Sequence, residues 1–175
     1  MTKQEQLAEL RGVPQRAFAA ECLKIVSKER KLVPLDATGR PGQERVARMV
    51  EEMESAGLPV RLIIVKSRQT GCSTWIQGEM MKRVVTTPYC RVLDVAHKMD
   101  TAGALFHMLL RMHQHLPEEL TDLLSGYVDI VSKNNPARGV KVLHFGADGQ
   151  GQGSGIDSRI EIGTYKSGRP PNDVP

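Results

Sequence analysis

Cysteine is scarce in this chain and scattered. Cys22, Cys72 and Cys90 are the three present in 175 residues, an odd number with no C-x-x-C pair. That spacing argues against a disulfide framework or a thiolate zinc site and suits a reducing cytoplasm. Aromatic residues make up 4%, and Trp75, Phe106 and Phe145 are not interleaved with basic residues, so no base-stacking surface is read. The five histidines offer no pair at metal-binding helical spacing beside a suitable carboxylate. No apolar run approaches the ~20 residues that cross a bilayer, and residues 2–5 are polar or charged, so neither a signal peptide nor an anchor is expected. No internal repeat is visible. The formal charge of +4 permits a nucleic-acid partner without arguing for one.

What is present suits one ordinary domain with a helical lead-in and enough apolar residues, 40%, for a real core. Helices are predicted over about 3–10 and 14–29, the second carrying Phe18, Cys22, Ile25 and Val26 at helical spacing. A third is predicted from Pro41 to about Ser55, with Val46, Met49, Val50 and Met53 on one face and Gly57 closing it. Val60 to Val65 reads as a buried strand, 73–85 as a helix, and 90–96 as a second buried strand. A fifth helix begins near Asp100, a predicted N-cap, with Ala102, Leu105, Phe106, Leu109 and Met112 as its apolar stripe. Strand and helix alternating at this spacing predict an α/β fold with a mostly parallel sheet. Short β-rich runs follow at 127–131, 140–145 and 159–164, the last two separated by a glycine-rich loop. The final residues, 167–175, carry three prolines in the last six positions and read as a disordered tail.

The stretch with most chemical content is Lys66-Ser67-Arg68-Gln69-Thr70-Gly71-Cys72-Ser73-Thr74. A strand, a tight loop and a helix opening on hydroxyl residues is the arrangement that holds nucleotide phosphates on backbone N–H groups. In the phosphate-loop spacing, Gly71 fills the second glycine position and Ser73 the hydroxyl that would hold Mg²⁺. Lys66 stands where the first glycine belongs and Cys72 where the lysine belongs. Lys66 and Arg68 are the cations within the loop that could meet the phosphates. Plainer roles stand beside these: Ser73-Thr74 as a helix cap, Lys66 as a strand-end charge in solvent, and Cys72 as a small packed residue.

Gln43 ahead of a helix, the run 59–74, and Val95-Ala96-His97-Lys98-Met99-Asp100-Thr101-Ala102 together resemble the large terminase subunit of tailed bacteriophages, over about 32–166. The late run Ser158-Arg159-Ile160-Glu161-Ile162-Gly163-Thr164, with Gly168-Arg169 beyond it, is similar to a strand and loop of the same family. The resemblance implies a P-loop NTPase core of the additional-strand type over 41–166, preceded by a helical lead-in over 1–40. It implies an ATPase that drives DNA into a capsid. Lys66 would be the displaced phosphate lysine, Arg68 the catalytic arginine at the γ-phosphate, Ser73 the Mg²⁺ ligand and Gln43 the contact to adenine. The partners it implies are double-stranded DNA, a small terminase subunit, the capsid portal and further copies of the chain, in the cytoplasm of a bacterial host.

The family's apolar run ending in Asp-Glu is not found after the loop, and its nuclease domain has no counterpart in these residues. Asp94 and Asp129 are isolated acids without an adjacent Glu. The expectation is therefore a chain cut short, incomplete at its C-terminus, that binds ATP and turns it over poorly alone. The alternative is a non-catalytic remnant or interaction module that keeps a degenerate form of the fold. A helicase-type translocase is disfavoured because no downstream helicase motif follows.

Overall fold

The computed structural model describes residues 2–67, 70–124, 128–132, 141–146 and 155–164. The predicted tail, Gly168-Arg169 and most of the glycine-rich loop lie outside the described residues. The chain opens with α1, Lys3–Gly12, started by a capping box in which the Glu5 amide donates to Thr2 Oγ1 and the Thr2 amide donates to Glu5 Oε2. Helix α2, Gln15–Cys22, follows Pro14 and stops seven residues short of the predicted end. Beyond it, Lys24–Val26 forms β1 and pairs antiparallel with β2, Leu32–Pro34. The β-branched pair Ile25-Val26 and a turn with Arg30 at φ 61° favour the hairpin over further helix.

Helix α3, Pro41–Ser55, matches its predicted limits, with proline in the first turn where no amide partner is lost. Its buried face differs from the predicted one: Gln43, Val46, Ala47 and Val50 are buried, while Met49 is exposed. After residues 58–67 come α4, Cys72–Thr86, then β3, Arg91–Ala96, then α5, Met99–Gln114, and α6, Glu118–Leu124. The predicted stripe of α5 is buried at Ala102, Phe106, Leu109 and Met112. Lys98, not Asp100, occupies its N-cap position, and Asp100 sits in the first turn. Strand β3 is not buried throughout as predicted: Leu93 and Val95, which share one face, are exposed.

Three further strands, β4 (Val128–Ser132), β5 (Lys141–Phe145) and β6 (Ser158–Thr164), join β3 in a sheet of order β3-β6-β5-β4. Only β3 and β6 run parallel; β6 with β5 and β5 with β4 are antiparallel. The sheet is thus mixed, and the predicted mostly parallel sheet is corrected. The late runs follow one another closely enough to pair as neighbours, whereas parallel pairing demands a long crossover. Helix α4 packs on α5 and on the sheet, and α1, α2 and α3 pack on α4. One apolar core results, in which Leu7, Phe18, Leu23 and Leu35 of the lead-in share a cluster with Trp75, Met81, Leu109, Ile160 and Ile162.

The strand expected at 60–65 does not form. Residues 58–67 have no regular secondary structure, and Ile63 and Val65 are 97% and 96% exposed. Leu62 and Ile64 pack against the core, so the segment alternates in and out as a strand would. No strand pairs with it among the described residues, however, and a β-prone run without a partner gains no ladder.

Candidate functional site

The loop region is built where two helix starts meet. Gly71 is the N-cap of α4 at φ 75°, a left-handed conformation that suits glycine, and no side chain caps the helix. The first-turn amides of α4 therefore keep their donor capacity for an external acceptor. Against this end lies the start of α3. A Cβ on Gly42 would stand 3.5 Å from Cys72 Sγ and 4.0 Å from Thr70 Cβ, so the absence of a side chain at Gly42 lets the two segments approach.

Gln43 is fully buried at this junction. Its Nε2 donates to the Gly71 carbonyl oxygen at 3.0 Å, and its Oε1 is buried without a partner among the described residues. A buried amide oxygen left unpaired costs on the order of 1–3 kcal/mol, which makes it a natural acceptor for a ligand donor. Thr70 Oγ1 donates to Cys72 Sγ at 3.3 Å, and Cys72 is turned inward, 2% exposed. Ser73 is exposed and Thr74 half-buried. The Lys66 ammonium is exposed and reaches the Ser67 carbonyl oxygen at 3.4 Å. Arg68 and Gln69 lie outside the described residues. The structure thus brings Gln43, Thr70, Gly71 and Cys72 together, with Ser73 and Thr74 opening the helix beside them.

Two residues that sequence reasoning did not connect stand one helical turn further along. Gln77 of α4 is 2% exposed, and its Nε2 donates to Asp94 Oδ2 of β3 at 2.6 Å. Gln77 follows Ser73 by four residues and so shares its helix face, a spacing legible in the sequence. The pairing with a strand residue is not legible there. Asp129 lies on β4, whose side chains are outside the description.

Elsewhere, Gln15, Trp75 Nε1, Glu79 Oε1 and His113 Nδ1 are also buried without a partner among the described residues, while Asp157 and Ser158 are bonded. Glu79, in the middle of α4, is raised from 4.5 to about 7 by burial, with Arg83 pulling the other way. Asp157 joins three strands: it meets His144 at 2.9 Å and accepts from Arg91 at 3.0 Å, and its carboxyl is held low first by the His144 hydrogen bond. Ser158 Oγ, fully buried, donates to the Thr87 carbonyl and accepts from the Cys90 amide, so it is engaged in joining β6 to the start of β3.

No known protein family matches the chain, and no curated protein matches it either. The chemistry must be read from the residues. Among the described residues no cluster of three or more His, Cys, Asp or Glu is placed to hold a metal ion. In the first two turns of α4 the Ser73 hydroxyl is exposed and Gln77 Oε1 has no partner among the described residues, and neither does Gln43 Oε1 at the facing start of α3. Such a set suits a phosphate-bound hard cation that keeps most of its own waters better than a caged one. Among the described residues no helix is long and apolar enough to cross a membrane.

Proposed function

We propose that the 66–74 loop binds ATP with Mg²⁺ and that the chain is the N-terminal ATPase part of a terminase-type motor built on a P-loop fold. One observation carries this reading. Gln43 and Gly71, 28 residues apart, are joined by a hydrogen bond, and the free Gln43 Oε1 is buried beside an uncapped helix start. The α4 amides would take the phosphates, with Lys66 supplying positive charge on binding and Arg68 in the transition state. Ser73 would hold the Mg²⁺, which when bound neutralises phosphate charge. Gln43 Nε2 gives one of its two N–H donors to Gly71, and Oε1 remains as the acceptor with no partner among the described residues. That oxygen would accept from the exocyclic amino group of adenine.

Double-stranded DNA, a small terminase subunit, a capsid portal and further copies of the chain are the partners that go with this proposal, in a bacterial cytoplasm. Calorimetric titration of the purified chain with Mg-ATP and Mg-GTP tests the core of it. ATP should bind and GTP bind more weakly, and Lys66→Ala should cost roughly 1.5–3 kcal/mol of ATP affinity. Arg68→Ala should spare binding, since its role is assigned to the transition state. Equal ATP affinity in wild type and Lys66→Ala would remove Lys66 from the site.

A second reading, a non-catalytic interaction module, is favoured by the 58–67 segment. It carries no ladder, and Lys66 faces solvent. Absence of any nucleotide binding in the same titration would establish that reading over the first.

A further inference from the structure

The Gln77–Asp94 pair sits behind the candidate loop with one oxygen left over. Asp94 carries acceptors toward Gln77, so the amide nitrogen must be the atom that faces it, and Gln77 Oε1 is directed elsewhere. That oxygen is buried and has no partner among the described residues. Side chains on a helix lean toward its N-terminus, so Gln77 leans toward the turn that carries Ser73, about 6 Å up the axis. Asp94 supplies the acceptor that the buried Gln77 nitrogen needs, but a neutral acceptor would supply it at lower desolvation cost than a carboxylate.

We propose that Asp94, acting through Gln77, is a positioning residue for the Mg²⁺ that accompanies nucleotide at Ser73. This rests on the nucleotide reading of the loop. Mg²⁺ keeps several of its waters when it binds phosphates, and each water is a strong hydrogen-bond donor. Gln77 Oε1 supplies a fixed acceptor for one of them. Asp94 locks the amide so that this acceptor cannot rotate away, and its negative charge favours the cation from behind. The arrangement makes a directional demand: the Asp94 charge attracts Mg²⁺ but repels bare phosphate.

Calorimetric titration with ATP in excess Mg²⁺ and in EDTA separates these effects. Asp94→Asn keeps an acceptor for the Gln77 nitrogen and removes only the charge. It should weaken binding in Mg²⁺ by about tenfold and leave binding in EDTA unchanged or stronger, while Asp94→Glu recovers part of the loss. Gln77→Met, which removes the acceptor and retains the volume, should show the same Mg²⁺-specific loss and serves if Asp94→Asn does not fold. Parallel changes in both conditions, or none, would make the pair purely structural and overturn the inference. So would wild-type affinity that is equal with and without Mg²⁺, while leaving the nucleotide site intact. A wild type that binds no nucleotide in either condition would overturn the site and the inference together.

Discussion

A Cβ placed on Gly71 would stand 2.3 Å from Gln43 Nε2. The start of α3 therefore sets the shape of the turn that starts α4, and glycine at 71 is required twice over, by its φ of 75° and by its neighbour. Gly71→Ala should cost at least the roughly 1–2 kcal/mol of left-handed strain, and more from displacing a buried amide. In a Gln43→Ala background the steric share disappears, so the second cost should be smaller than the first. Urea denaturation of the two single variants and the double variant measures this coupling. Strict additivity would show that the two residues do not constrain each other.

Glu79 makes stability depend on pH in an unusual direction for an acid. Its folded-state value of about 7 lies above the ordinary 4.5, so the folded state binds its proton more tightly than the unfolded chain does. The favourable contribution is complete below pH 4.5 and is lost as pH rises through 7. Between pH 5 and pH 8 the wild type should lose roughly 2–3 kcal/mol relative to Glu79→Gln. Denaturant midpoints at the two pH values check it, and equal losses in both proteins would show that Glu79 is not the group responsible.

Asp157 acts in the opposite sense. Its carboxyl is held low by His144 and then Arg91, so its contribution is present above the ordinary carboxylate range and is lost as pH falls through its folded value. Asp157→Asn should therefore flatten the acid limb of the stability profile and leave the limb near neutrality to Glu79. An unchanged acid limb in a calorimetric pH series would argue against the three-strand link.

The thiols should differ in reactivity by burial alone. Cys72 is buried between the two helix starts, while Cys22 and Cys90 are half-buried. A maleimide added to the native protein should modify Cys22 and Cys90 first and Cys72 only as the fold opens, as peptide mass spectrometry would follow. Rapid native labelling of Cys72, blocked by ATP, would instead put its sulfur on the surface of the nucleotide site.

Exposed apolar side chains concentrate around the loop's approach and the sheet edge: Ile63 and Val65 on one segment, Leu93 and Val95 on β3. Among the described residues β3 pairs with β6 alone, which leaves its other edge without a strand. Such an edge invites association between copies. Val95→Lys should lower self-association in sedimentation velocity, with little change in thermal midpoint, because the side chain lies outside the core. A lost fold with unchanged association would place Val95 in the core instead.

The local signals were readable because they depend on neighbours in the chain. Pro41 and Gly57 bracket α3, and the 3.6-residue period of Ala102, Phe106, Leu109 and Met112 settles which face of α5 is buried. The loop letters and the helix after them were equally plain. The second lead-in helix was overestimated because Ile25 and Val26 fit a helical stripe as well as a hairpin, and only pairing with Val33 and Leu32 decides between them. The face of α3 was misjudged at Met49 because periodicity alone does not say which helix lies opposite.

The sequence by itself determined the glycine-bearing turn, the hydroxyls that open α4 and the helices α3 and α4, since backbone stereochemistry and side-chain period act over a few residues. Only the tertiary structure decided that 60–65 has no ladder partner, that the late strands pair antiparallel, that Gln43 bonds to Gly71, and that Gln77 bonds to Asp94. Each of those depends on which surfaces meet when distant segments share one core, and a residue's own neighbours in the chain carry no record of that choice.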